Sequence, residues 1–226
     1  MSNFSFDSRD RLIEAILCHV PTEGWSNAAL RLGGRKIGMA PLEVVNCFPS
    51  GPRDAIQYFS HWADRRMADV LEGPDFPEGR VSQRIKCAVE TRLQILEPHK
   101  EATRRCLSWF TVPQNTMLGT RLLYRTVDNI WHGIGDHSAD FSFYTKRGLL
   151  AAVLGSTILF WLEDSSKDRE ETSAFLERRI NGVIQIHSAR RRVSKIHENT
   201  VRPVRALRTA VEKRYGRPFR GDSRVT

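Results

Sequence analysis

The sequence lacks the patterns that usually indicate a metalloenzyme or a disulfide-linked extracellular scaffold. Its four cysteines, Cys18, Cys47, Cys87 and Cys106, are 29, 40 and 19 residues apart, and no C-x-x-C pair occurs. This spacing predicts buried thiols in a reducing compartment. No Glu-x-x-His pair occurs anywhere in the 226 residues, which excludes a di-iron carboxylate centre of the helical-bundle type.

Motifs for other kinds of catalysis are missing too. There is no H-E-x-x-H and no G-x-S-x-G, and the stretch GGRKIG at 33–38 is not followed by the Lys-Ser/Thr of a phosphate loop. No apolar leader region precedes the first helical pattern, which favours a bacterial, cytoplasmic protein over a mitochondrial precursor. We therefore predict a protein that is not an enzyme and that needs no cofactor.

Alternating Val/Ile/Thr-rich segments, the pattern of strands, are absent as well. Nearly every apolar segment repeats with a period of 3.6 residues, which predicts an all-α fold. An apolar stripe from Leu12 to Val20 ends before Pro21, and Ser26 is a candidate cap for a helix that reaches Ile37. The remaining predicted helices cover 41–47, 52–72, 80–96, 98–111, 114–133, 139–163, 167–190 and 201–215.

Three short helices in the first fifty residues have the proportions of a helix-turn-helix domain, and a larger helical body follows. This layout resembles that of TetR-type regulators. We predict a helix-turn-helix-like domain at 1–50, a helical body at 51–190 and a basic tail at 191–226. The helix that would read DNA, PLEVVNCF at 41–48, has one acid, one amide and no cation. Specific DNA binding requires cations and donors there, so we predict no specific nucleic-acid partner.

Positive charge is concentrated near the end of the chain. From Arg178 onward there are fourteen Lys/Arg and three Asp/Glu, whereas the whole chain has a net charge of +9. The body before Arg178 is therefore slightly acidic, and a polyanion would be attracted by the tail. Nucleic acid or an anionic membrane could serve as that polyanion.

The stretch GDHSADFSFYTKRGLLAAVLGSTILFWLED at 135–164 invites three interpretations. Asp136, His137 and Asp140, with His132 nearby, are metal-ligand types, although Ser138 and Asp140 also fit a helix cap and first turn. The uncharged run at 148–162 is too short to cross a bilayer core of about twenty residues. A helix that is apolar on all sides is expected to be buried. Its small residues at 148, 151, 152, 155 and 156 allow either close helix packing or a lumen.

Several stretches of the sequence are similar to one known family. They are HVPTEGWSNAAL at 19–30, FPSGPRDAIQYFSHWAD at 48–64, RIKCAVETRLQILEP at 84–98, GDHSADFSFYTKRGLLAAVLGSTILFWLEDSS at 135–166 and FLERRI at 175–180. They resemble the ubiquinone-biosynthesis accessory proteins, a family of TetR-like lipid-binding proteins, over about residues 8 to 190. The most specific part of the resemblance is the run GD-x-S-x-DF-x-x-YTKR.

The resemblance implies a lipid pocket and a protein partner. The pocket would hold an isoprenoid quinone or a phospholipid against the apolar helix, at Leu149, Ala152, Val153, Gly155, Ser156, Leu159 and Phe160. A patch at the start of this helix, at Asp140, Phe143 and Tyr144, would contact the di-iron demethoxyubiquinone hydroxylase. Relatives have Trp at the position of Phe143, so this chain departs from the family pattern in the patch.

The tail is predicted to bind an anionic membrane as a basic amphipathic helix. The residues assigned to membrane contact are Val204, Arg205, Leu207, Arg208 and Val211. We therefore expect an accessory protein, peripheral on the bacterial inner membrane or on the mitochondrial matrix face, that presents polyprenyl quinone intermediates to the hydroxylase. A homodimer is expected, and the stripe Leu176, Ile180, Val183 and Ile184 suits either a dimer interface or packing within the chain. The alternative function is a TetR-type ligand-responsive regulator.

Overall fold

The computed structural model describes residues 3–135 and 142–183, with side chains over 7–135 and 144–183. These residues form ten α-helices and no β-strand, so the all-α prediction is confirmed. The helices are α1 (Asn3–Leu17), α2 (Val20–Glu23), α3 (Asn27–Lys36), α4 (Pro41–Cys47), α5 (Pro52–Leu71), α6 (Val81–Leu96), α7 (Lys100–Phe110), α8 (Pro113–Gly133), α9 (Ser142–Glu163) and α10 (170–183).

The sequence predicts three helices in the first fifty residues, and the structure has four there. The apolar stripe of α1 buries Leu12, Ile13 and Ile16 completely. The prediction that this helix reaches Val20 is wrong, because α1 stops at Leu17 and a short α2 begins at Val20. Pro21 lies in the first turn of α2 rather than after a helix end, since proline has no N–H to lose there.

The ends of α3 follow from its flanking residues. The hydroxyl of Ser26 accepts a hydrogen bond from the Ala29 backbone N–H at 3.2 Å, which confirms the predicted cap. Gly38 follows the helix with a φ of 70°, a conformation that favours glycine. The chain then turns tightly into α4, as in a helix-turn-helix.

The long helices α5, α6 and α8 form the centre of the body. Trp62 and Met67 on α5, Leu93 on α6 and Ile130 on α8 are among its fully buried side chains. The chain divides into two compact units, Met1–Ile180 and Asn181–Thr226. Of the second unit the structure describes only residues 181–183, so the predicted three-part division of the chain stays a prediction.

The body ends with a turn between α9 and α10 that is organised around Asp164. This side chain accepts hydrogen bonds from the Ser166 and Thr172 backbone N–H groups at 2.8 and 2.9 Å. A short 3₁₀ turn at Lys167–Arg169 follows, where a single helix over 167–190 was predicted. Asp168 and Arg169 have φ values of 53° and 60°, which no α-helix allows, so α10 begins only at Glu170.

Candidate functional site

A cavity of about 350 Å³ opens between the helices of the body. Its walls come from α5, α6, α7, α8 and α9, and most are apolar: Ile56, Phe59, Leu96, Phe110, Leu122, Leu123, Leu154 and Ile158. The volume falls within the range of small-molecule pockets, roughly 300–1,000 Å³, which are typically apolar with a few polar groups. The site is thus suited to an apolar molecule or to the apolar part of one.

The cavity has an exposed end and a buried end. Thr116, Thr120 and Leu159 line it and are exposed, Leu159 by 61% of its surface. Arg92 and Thr126 also line it, but they are only 6% and 2% exposed. We call the end near Leu159 the mouth and the end at Arg92 the inner end.

A buried ion pair lies at the inner end. Arg92 Nε donates to Asp64 Oδ1 at 3.0 Å, and Asp64 is only 1% exposed. The Thr126 hydroxyl lies 2.9 Å from Asp64 Oδ1, and Asn129 Nδ2 donates to Oδ2 at 3.3 Å. The cluster joins α5, α6 and α8, and its charges cancel.

A thiol belongs to the cavity wall as well. Cys106 on α7 lines the cavity and is 6% exposed. Burial, which disfavours the charged thiolate, raises the pKa of Cys106 well above its ordinary value, although Arg92 lowers it in part. The group is therefore a neutral thiol at physiological pH.

The structure places the seven predicted lipid-binding residues on different sides of α9. Gly155 and Leu159 line the cavity, as do Leu154 and Ile158, which the sequence prediction missed. Val153 is buried, Ala152 is exposed, and Leu149, Ser156 and Phe160 are partly exposed without lining the cavity. Phe160 instead stacks on Phe175, with ring centroids 4.5 Å apart.

The prediction that α9 is buried on all sides is wrong. Only 39% of the most apolar 18-residue stretch of α9 is buried, and Tyr144, Ala152 and Leu159 are exposed. By length and composition alone Tyr144–Glu163 could cross a membrane, a test that core helices of soluble proteins also pass. Helix α8 packs against α9, and the exposed Ala152 and Leu159 lie on the same stripe of α9 as Gly148 and Gly155, which face α8.

Two further predicted sites fall largely on undescribed residues. In the patch for the hydroxylase, Tyr144 is 79% exposed, whereas Asp140 and the side chain of Phe143 lie outside the described residues. The membrane-contact residues from Val204 to Val211 also lie outside them. In the predicted dimer stripe, Leu176 and Ile180 are buried within the chain, as in the packing alternative.

The metal and DNA interpretations can be compared with the structure only in part. Asp136, His137 and Asp140 lie outside the described residues, among which no group of three or more His, Cys, Asp or Glu could hold a metal ion. On α4, the helix in the DNA-reading position, Leu42 and Val45 are 71% and 55% exposed. This helix presents an apolar surface where a DNA-binding protein needs cations.

Comparison with known proteins supports both the fold and the family resemblance. The structure superposes on a TetR transcriptional regulator from Nitrosomonas europaea with a TM-score of 0.66, at 19% identity, over 79% of this chain and 99% of the other. This similarity shows the fold. A family model described as COQ9 matches residues 116–187. The resemblance to the COQ9 family is confirmed.

The COQ9 relatives are similar over most of this chain. The human ubiquinone biosynthesis protein COQ9, mitochondrial, is 33% identical over 198 residues, which are 84% of this chain and 62% of the human protein. The rat protein of the same name is 33% identical over 84% of this chain and 63% of its own length, and the Drosophila melanogaster protein is 28% identical over 79% and 56%. The chain thus spans about three fifths of the length of these relatives.

Proposed function

We propose that the protein binds isoprenoid quinone intermediates of ubiquinone biosynthesis and presents them to the di-iron hydroxylase at the membrane. The relatives are named as ubiquinone biosynthesis proteins, which supports the pathway. Their names also include mitochondrial, which favours the matrix face over the bacterial location. In this role the protein acts as a carrier rather than as an enzyme.

The observation that carries the proposal is the apolar cavity with one exposed end. A polyprenyl chain is insoluble in water, and burying it against apolar walls is favourable in proportion to the area covered. The mouth lies beside the exposed face of α9, so a long tail can leave the cavity there while the ring stays inside. The exposed Tyr144 at the start of α9 suits a contact with the partner protein, because tyrosine offers both apolar area and a hydroxyl.

The proposal is tested by identifying the lipids that copurify with the full-length protein. Mass spectrometry of the extract should find a polyprenyl quinone or its precursor in near-stoichiometric amount. The Gly155→Leu variant should lose it, because a side chain at 155 starts 3.8 Å from Leu123 and fills the cavity near its mouth. Gly182→Leu is the matched control, since no atom of the described residues beyond its own helical backbone lies within 4 Å of a Cβ added there.

The results also separate the alternatives. Recovery of bulk phospholipid alone, in sub-stoichiometric amount and equally from both variants, contradicts quinone binding. A TetR-type regulator would instead shift a defined operator in a gel at physiological salt. The exposed apolar surface of α4 predicts that no such shift occurs.

A further inference from the structure

The guanidinium of Arg92 is an unusual group to find in the wall of an apolar cavity. Burying a charge is unfavourable unless it is paired, and Arg92 is paired with Asp64. Apolar residues of similar size could join α5, α6 and α8 without the desolvation penalty of an ion pair. A role towards the cavity's ligand explains the ion pair better than helix packing does.

The hydrogen bonds of Arg92 leave one of its nitrogens without a partner among the described residues. Its Nε donates to Asp64, and its Nη2 lies 3.4 Å from the Thr126 hydroxyl. Nη1 donates to no residue in the described part of the chain. It is also not one of the buried polar atoms there that lack both a hydrogen-bond partner and contact with solvent. Since Arg92 lines the cavity, Nη1 is available to a ligand.

The rest of the cluster determines which ligand atom suits this nitrogen. Asp64 neutralises the guanidinium, so the inner end has no net charge with which to hold a carboxylate or a phosphate. The Asp64 oxygens already accept from Arg92, Thr126 and Asn129. The cluster therefore offers a donor and little acceptor capacity, which suits a carbonyl oxygen better than a hydroxyl group.

We propose that Arg92 recognises the ring of the ligand, with Nη1 donating to a carbonyl oxygen of an oxidised quinone. In this carrier state the ring lies at the inner end of the cavity and its tail extends past Gly155 to the mouth at Leu159. The ring has to leave through the mouth when the lipid is transferred to the hydroxylase. The same site binds the hydroquinone more weakly, because each hydroquinone oxygen carries a proton that needs an acceptor. This inference rests on the proposed function and adds the orientation and oxidation state of the ligand.

The test compares two probes in calorimetric titrations of the full-length protein in detergent. One probe is a decyl-substituted 2,3-dimethoxy-5-methylbenzoquinone, and the other is decylbenzene, which has a ring and tail but no oxygen. In Arg92→Lys the ammonium can still pair with Asp64, but it lacks the second arm of the guanidinium. We expect Arg92→Lys to weaken quinone binding about tenfold, the effect of one hydrogen bond, and to leave decylbenzene binding unchanged.

The outcomes separate this inference from the proposed function. If the wild-type protein binds neither probe, the proposed function fails. If it binds both and Arg92→Lys changes both equally or changes neither, recognition of the ring by Arg92 is overturned. Should Arg92→Lys fail to fold, the double variant Asp64→Leu/Arg92→Leu removes the two charges together and gives the same comparison. Reducing the quinone probe with dithionite should weaken its binding to the wild type and have little effect in either variant.

Discussion

Among single residues, Thr126 shows how the inner end of the cavity is held in place. Its hydroxyl lies between the carboxylate of Asp64 on α5 and the guanidinium of Arg92 on α6. Thr126 is 2% exposed, so water cannot replace its hydrogen bonds. A buried carboxylate that loses a donor retains the full penalty of its desolvation.

We therefore expect Thr126→Val to lower the free energy of unfolding by about 1–3 kcal/mol, since valine has the same shape and no hydroxyl. Thr120→Val on the same helix is the matched control. Thr120 is exposed, and among the described residues its hydroxyl donates only to the Thr116 carbonyl one turn earlier, so its replacement should change the stability by less than about 0.5 kcal/mol. Urea denaturation of both variants measures the difference, and equal effects would contradict a special role for Thr126.

The sequence could not have revealed this cluster. Asp64 and Arg92 are 28 residues apart on different helices, and charged residues of helices are usually solvent-exposed. Both residues lie in stretches that resemble the family, but the resemblance assigned neither of them a role. Gly155 and Leu159, by contrast, were predicted because they belong to an uncharged run that resembles the pocket helix of a known family. Their neighbours Leu154 and Ile158 were missed because an apolar helix gives no sign of which side faces the cavity.

Among the helices, the close packing of α1 against α3 depends on a glycine. A Cβ added at Gly33 would lie 2.9 Å from the backbone nitrogen of Ile16, closer than real contacts allow. The two helices can therefore approach this closely only with glycine at 33. Gly148 on α9 differs, since among the described residues beyond its own helical backbone the nearest atom to an added Cβ is the Tyr124 hydroxyl oxygen at 3.9 Å.

Replacing the two glycines by alanine should change the free energy of unfolding in opposite directions. Gly33→Ala forces the backbones apart, and we expect it to lower the free energy of unfolding by about 1–3 kcal/mol. Gly148→Ala introduces no clash and removes the conformational freedom of glycine, and it should raise the same quantity by about 0.5–1 kcal/mol. Thermal unfolding of the two variants provides the test, and a stabilised Gly33→Ala would refute the close approach of α1 and α3.

The positions of the helices were more predictable than their ends and their exposed faces. The period of 3.6 residues located α5, α6 and α8 nearly to the residue, because each has one apolar face. It gave no orientation for α9, whose apolar residues occur all round the helix. The turn at Lys167–Arg169 was missed because Asp168 and Arg169 adopt left-handed backbone conformations that neither residue type indicates in a sequence.

As a whole molecule, the proposed carrier has a lipid cavity in its helical body and a basic tail. The predicted tail at 191–226 contains eleven Lys/Arg, and its predicted apolar stripe includes Val204, Leu207 and Val211. Each basic residue near an anionic membrane contributes on the order of 1 kcal/mol to binding. Docking on the membrane would bring the cavity to the bilayer in which polyprenyl lipids reside.

Replacing both Arg205 and Arg208 by alanine should therefore weaken binding to vesicles with about 30% phosphatidylserine by roughly thirtyfold. Vesicle cosedimentation of the full-length protein measures this. The matched control replaces Arg31 and Arg35, two exposed arginines on α3, by alanine. An equal loss in the control would show that the total charge of the protein, rather than the tail, attracts it to the membrane.

The neutral thiol of Cys106 has a consequence for the chemistry of the proposed cargo. A benzoquinone with a free ring carbon is an electrophile, and a thiolate that adds to it forms a stable thioether. Only the thiolate is a strong nucleophile, and burial keeps Cys106 protonated by raising its pKa. In the proposed role, the cavity wall would therefore not become covalently attached to a reactive quinone, and the ring would leave chemically intact.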